Sequence, residues 1–346
     1  FGTPVSFLRS WFVALAYLTI LPWEAIYING ILSNLIPFFN SGTVLYHIGE
    51  NPIYLSSVTL GLIFAFILFI INFKGSKSAA KLQTVLSWAI IVIGIIVIIL
   101  SLIKGSLSNL FPFYENIGVG EHTGSFTGIL SMIVLVPFFM AGFDTIAQSA
   151  PEADPDVEFK DIAKVLILSI IAAGIFYALV IISTGSVSPW KIYALENPPA
   201  MSVLLQDAYQ GAFGDILYVL VMIGTLAGLF TTWNGMFMAA ARLLQSMGHT
   251  GLLPSIFAKE HKKFKTPVTG SIFCFFAAAI GPLIGMKFID PLTNLGSVAF
   301  VFGWLLTCLS AYELRKKEPN LYRRFKVPGG QKPILLAVII STAIVV

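Results

Sequence analysis

The chain has 346 residues, of which 57% are hydrophobic and only 11% charged, and its mean hydropathy is +0.87. Water-soluble domains carry about 25% charged residues, so a soluble domain is excluded and a lipid bilayer is the main solvent. The net charge of +4 does not imply a nucleic-acid partner, and the length suits one transmembrane domain over residues 1–346.

Unbroken apolar length predicts membrane spans at about 11–38, 52–73, 82–103, 126–148, 162–184, 213–244, 267–286 and 291–314. A ninth run, 333–346, is shorter than the roughly 20 residues a crossing needs. That short run, and a start at Phe1 without a methionine, read as a chain cut at both ends.

Basic residues divide unevenly between the connections. If the segment before the first span is cytoplasmic, that side collects Arg9, Lys74, Lys77, Lys81, Lys160, Lys164, Arg242, Lys259, Lys262, Lys263, Lys265, Arg315, Lys316, Lys317, Arg323, Arg324, Lys326 and Lys332, against Lys104, Lys191 and Lys287 outside. Eighteen against three obeys the positive-inside rule and places the protein in the cell membrane with its start inside. The outer connections 106–125 and 185–212 are long and aromatic, as expected of partly ordered caps. The inner connection 248–266 reads equally as an interfacial helix facing lipid headgroups or as a solvated loop.

The fourth span contains the stretch V-L-V-P-F-F-M-A-G-F-D-T-I-A-Q-S-A-P-E. Pro137 and Gly142 weaken a helix in mid-membrane, and a break there frees backbone groups that hydrocarbon cannot satisfy, so it is tolerated only inside protein or against a polar cavity. Broken helices at mid-depth are where carriers place solutes and coupling ions. The first half would end in carbonyls that attract an ammonium, and the second would begin with N–H groups that attract an anion. Phe138, Phe139, Met140 and Phe143 supply an apolar wall. Asp144 is a ligand, a cap of the second half-helix, or a partner for another helix.

Elsewhere at membrane depth, Glu24 in the first span is a protonatable coupling group, a partner for a substrate ammonium, or a carboxyl hydrogen-bonded between helices. Thr231 and Thr232 in the sixth offer two adjacent hydroxyls, for Na⁺ or for a neighbouring helix. Gly224 with Gly228, and Gly281 with Gly285, have the small-xxx-small spacing of close helix packing. Cys274 and Cys308 sit in apolar runs as buried small hydrophobes. The sequence holds no H-E-x-x-H, G-x-S-x-G or P-loop, so no enzyme, cofactor or metal centre is expected. A pore lined by rings of like polar residues fits less well than isolated acids around one broken span.

The stretch P-F-F-M-A-G-F-D-T-I-A-Q-S-A-P-E, residues 137–152, resembles the sixth helix of the amino acid-polyamine-organocation (APC) superfamily. The stretch A-A-A-R-L-L-Q-S-M-G-H-T-G-L-L-P-S-I-F-A-K-E-H-K-K-F-K-T-P, residues 239–267, resembles its eighth helix and the loop that follows. The resemblance implies an all-α membrane protein with the LeuT-like inverted repeat of five plus five helices, the present spans corresponding to helices three to ten and part of eleven. Two preceding helices, with the Gly-rich half of the binding site, would then lie outside this sequence. It also implies a secondary transporter moving an amino acid or related amine by alternating access. Phe139, Met140, Ala141, Gly142 and Phe143 would be the unwound substrate segment, with Asp144 beside it. Proton-coupled relatives often hold a lysine in the fifth helix, near Ile90 here. No lysine occurs between Lys81 and Lys104, which leaves Glu24, or a cation near Thr231 and Thr232, to couple H⁺ or Na⁺.

Overall fold

The computed structural model describes residues 2–115, 124–146, 158–193, 200–323 and 325–345. Ten α-helices are found among them. Helix α1, Thr3–Leu35, starts on Pro4, whose missing N–H costs nothing in a first turn, and it ends where Ile36, ahead of Pro37, turns extended as a residue before proline prefers. At 1.5 Å per residue it is about 50 Å long, well beyond a hydrocarbon core of about 30 Å.

The chain then forms a small antiparallel hairpin, β1 Val44–Ile48 and β2 Asn51–Tyr54, pairing Tyr46 with Ile53 and Ile48 with Asn51. The Tyr46 hydroxyl donates to the Leu283 carbonyl, which holds the hairpin against the bundle. Helices α2 Leu55–Phe73 and α3 Ser76–Lys104 follow, then α4 Ser125–Phe139 and α5 Phe159–Gly185. A short α6, Ala200–Tyr209, precedes α7 Gly211–His249. The remaining helices are α8 Val268–Ile284, α9 Ile289–Lys317 and α10 Gln331–Val345.

Helices α1, α2, α3, α5, α7 and α9 contain windows long and apolar enough to cross a membrane, whereas α4, α8 and α10 are shorter apolar helices. The fourth apolar run, read from sequence as 126–148, is helical only to Phe139 before it turns, and its end lies outside the described residues. So do 116–123, the acidic 147–157 and 194–199.

Position in the bundle follows from burial. In the most apolar window of α1, 78% of residues are buried, against 11% for α3 and none for α5, so α1 is the axis and α3 and α5 turn apolar side chains outward. Outward apolar residues such as Trp88, Ile99 and Leu168 are exposed, as suits a surface that meets an apolar phase instead of water. Helix α1 packs against α7, α8 and α9, while α3 lies between α7 and α5, and both α4 and α10 rest on α9. Tyr17, Leu21, Trp233, Phe237 and Phe300 form the fully buried centre. A second cluster seats α6 through Leu204 and Leu205 on Val97, Leu217 and Val221.

Small residues allow the closest approaches. A Cβ on Gly281 would stand 2.3 Å from the Pro22 carbonyl oxygen, and one on Gly303 would stand 2.7 Å from Val13 Cγ2. The two small-residue pairs read from spacing act less uniformly than expected. Gly224 meets Ile93, Gly228 faces open space, and Gly285 ends α8 with φ +66°. Replacing Gly281 by Val is therefore expected to force α8 off α1 and cost about 1–3 kcal/mol, read as a fall in melting temperature of the purified protein. Gly228→Ala should stay within about 0.5 kcal/mol.

Candidate functional site at the broken helix

Two residues end α4. Pro137 has no N–H to donate to the carbonyl a turn earlier, and Gly142 takes φ +121°, a conformation nearly closed to residues with a Cβ. The last backbone bonds of the helix are Met140 N–H to Val136 O at 2.8 Å and Ala141 N–H to Phe138 O at 3.4 Å. The chain turns at Gly142, and a new set of short bonds begins, Thr145 N–H to Gly142 O at 3.1 Å and Ile146 N–H to Phe143 O at 3.3 Å.

Asp144 holds this turn in place. Its Oδ1 accepts the Gly142 N–H at 3.3 Å and its Oδ2 accepts the Tyr17 hydroxyl of α1 at 2.8 Å. Thr145 Oγ1 donates to the Gly142 carbonyl at 2.6 Å. One carboxyl thus serves the backbone of the break and ties it to the most buried helix of the bundle. Of the three roles open to Asp144 in the sequence, the geometry displays the helix-to-helix bond; the N–H taken by Oδ1 lies two residues upstream in the turn and not in a following helix, and each oxygen already has a protein donor.

The surroundings are aromatic. Phe138 is buried edge-on against Trp23, with ring centroids 5.4 Å apart, and Trp23 Nε1 donates to Thr293 Oγ1 of α9 at 2.9 Å. Phe139 also meets Trp23, at 6.2 Å, but is half exposed. Phe143 packs on Trp304, which packs on Phe300, which meets Tyr17. Met236 of α7 lies 3.7 Å from where a Cβ on Gly142 would be. On the other side a hollow of about 190 Å³ is lined by Met140, Ala141, Gly142, Phe143 and Ile146, facing Ser169, Ile170, Ala173 and Tyr177 of α5.

Phe139 does not line that hollow, although Met140, Ala141, Gly142 and Phe143 do. Glu24 is 2% exposed, and its Oε2 has no hydrogen-bond partner among the described residues. It neighbours Trp23 along α1 but does not line the hollow. The Thr231 and Thr232 hydroxyls turn back onto their own helix, donating to Ala227 O at 2.6 Å and Gly228 O at 3.2 Å. They lie on the α7 turn before Met236, with Thr232 exposed, and they do not converge on one point. Tyr17, Met236, Trp304 and Tyr177 were not singled out from the sequence. Tyr17 and Tyr177 offered a signal there, since a phenol inside a span needs a hydrogen-bond partner.

The described residues thus form a bundle of apolar helices, one of which breaks beside the part-buried Asp144. All 346 residues match the family model described as amino acid permease, and the chain belongs to that family. The branched-chain amino acid permease BcaP of Bacillus subtilis is 31% identical over 205 residues, 59% of this chain and 42% of the relative. BcaP of Lactococcus lactis is 29% identical over 254 residues, 72% of this chain and 51% of the relative. The chloroplastic cationic amino acid transporter 6 of Arabidopsis thaliana is 24% identical over 265 residues, 75% of this chain and 41% of the relative. The chain thus spans about half the length of the curated relatives it matches.

Removing the phenol tests the tie between α1 and the break. Tyr17→Phe deletes the hydrogen bond to the Asp144 carboxyl, worth about 0.5–1.5 kcal/mol, and leaves the ring against Phe300. The expected result is a lower melting temperature, with faster hydrogen exchange at the amides of residues 142–146 and unchanged exchange in α8.

Proposed function

We propose that this chain forms the core of a secondary transporter that carries an amino acid or related amine across the cell membrane by alternating access. The break at residues 140–144 carries the reading. A helix stopped at depth presents carbonyl and N–H ends of opposite polarity, and a zwitterion or an ammonium is the solute such ends bind. The relatives, named as amino acid permeases and transporters, support the same solute class. Met140, Ala141, Gly142 and Phe143 are the residues expected to meet the solute, with Phe139 at the edge. Asp144 acts through its hold on the turn and on Tyr17. No chemical change of the solute is involved.

The driving gradient is a proton, a cation or a counter-solute. Glu24, buried in α1 beside Trp23, is the candidate for a proton, and Thr231 with Thr232 is the candidate for a cation. The start of the chain is assigned to the cytoplasm on the eighteen-to-three division of basic residues.

Uptake by the full-length protein in proteoliposomes, with a panel of amino acids and amines and with pH and Na⁺ gradients imposed separately, tests the reading. Gly142→Leu places a side chain at φ +121°, a strain of about 1–3 kcal/mol, and Asp144→Asn exchanges an acceptor for a donor at the turn. Each is expected to lower uptake at least several-fold at normal membrane abundance, and normal uptake in both would overturn the site. If Glu24 carries the proton, Glu24→Gln should abolish accumulation driven by a pH gradient while solute exchange persists. Thr231→Ala with Thr232→Ala should spare proton-driven uptake and remove any Na⁺ dependence.

A further inference from the structure

The connection between α7 and α8, read from sequence as an interfacial helix or a solvated loop, is not a continuous helix but a folded loop with exposed lysines. A single 3-10 turn, Ser255–Ala258, leads into a folded strap in which Glu260 bridges Pro267. His261 N–H donates to Thr266 O at 2.9 Å, Lys265 N–H to His261 O at 2.9 Å and Val268 N–H to Lys259 O at 3.1 Å. His261 Nδ1 accepts the N–H groups of Lys263 and Phe264, both at 3.2 Å, and its ring stacks on Phe264. The strap is fastened to the end of α2, where Thr266 Oγ1 donates to Phe73 O at 2.9 Å and the Phe73 ring meets both His261 and Phe264.

This backbone fixes a set of cations in place. Lys259, Lys262, Lys263 and Lys265 are all exposed, as is Lys74 beside Phe73. No ion pair neutralises any of them among the described residues. The acid in the strap, Glu260, takes a hydrogen bond from Gln245. Lys263 lies over the Phe264 ring, 5.5 Å from its centroid.

Position decides what these charges face. The strap joins the last residue of α2 to the first turn of α8, where those helices leave the apolar phase. Thr269 Oγ1 in that turn donates to Ile256 O, Ile256 is half exposed, and the neighbouring Phe257 ring meets the outward Phe273 of α8, beside the outward Ile272. An apolar strip on the outside of α8 therefore runs onto the strap and gives way to lysines. That order of apolar surface and then free cations matches the step from acyl chains to headgroups.

We propose that the 259–265 strap, with Lys74, is a binding surface for the headgroups of anionic phospholipids in the adjoining leaflet. Juxtamembrane lysines gain about 1 kcal/mol each from such a surface, which is about fivefold in lipid affinity per lysine. The headgroups hold the α7–α8 connection and the end of α2 against the membrane. This surface is independent of which solute the protein carries.

The test uses full-length protein reconstituted in nanodiscs of phosphatidylcholine with and without phosphatidylglycerol, reading retained lipid by native mass spectrometry and melting temperature by intrinsic fluorescence. Wild type is expected to retain phosphatidylglycerol over phosphatidylcholine and to melt higher when it is present, both effects fading as salt rises. Combining Lys259→Gln, Lys262→Gln, Lys263→Gln and Lys265→Gln should remove the preference, and Lys262→Gln with Lys263→Gln should lower it more than tenfold. Lys326→Gln with Lys332→Gln, on the same side but outside the strap, should leave it within twofold. A preference unchanged in the double strap variant overturns the proposal. So does equal stabilisation by inorganic phosphate or glycerol phosphate in pure phosphatidylcholine, which would assign the surface to a soluble anion.

Discussion

In hydrocarbon every backbone N–H and C=O must find a partner within the protein, and the arrangement of this molecule depends on how that demand is met where α4 stops. The turn at Gly142 is closed by its own short hydrogen bonds, by the Asp144 carboxyl and by the Thr145 hydroxyl. These partners would suffice for a loop in water. At membrane depth they also need shielding from lipid, which α1, α7 and α9 provide through Tyr17, Met236 and Trp304. The break is thus a product of the packing around it as much as of Pro137 and Gly142.

That packing starts from α1. Its alanines at 14, 16 and 25 and its central Tyr17 are fully buried, and glycines on α8 and α9 let those helices approach its backbone. Between apolar helices in lipid, close contact and interhelical hydrogen bonds replace the drive that water would supply. Trp23 to Thr293, Tyr17 to Asp144 and Arg9 to Thr307 are three such bonds along one helix. Asn72, Asn234 and Gln83 form a fourth link, joining α2, α7 and α3 through buried amides. A polar side chain at depth in this bundle is mostly a fastening.

That generality explains what could be read in advance. Apolar length marks spans, and proline followed by glycine in an apolar run marks a weak point, so the helices and the stop in α4 were legible from local pattern. The sequence did not reveal which way a polar group turns. Asp144 meets a tyrosine 127 residues away, and no local pattern records that. Thr231 and Thr232 looked like a pair, yet a threonine in a helix readily bonds the carbonyl four residues back, and both do. Gly224 and Gly228 share a spacing but not a neighbour. The hairpin at 44–54 and the short α6 were missed because each is stabilised by contacts with distant helices, Tyr46 on α8 and Leu205 on α3 and α7.

The hollow lies between two unequal walls. Helices α1 and α8 approach so closely that even a Cβ on Gly281 would meet the Pro22 carbonyl, and α7 and α9 pack on the same helix. Helix α5 has no buried residue in its apolar core window and packs chiefly on α3, yet it supplies Ser169, Ile170, Ala173 and Tyr177 to the wall opposite the break. One wall therefore belongs to a tightly packed body and the other to a helix held by few contacts. Little buried apolar contact marks regions that open at low free-energy cost, which sets α5 apart from α1 and α8. Asp144 belongs to the first wall, because its bond to Tyr17 ties the unwound segment to α1.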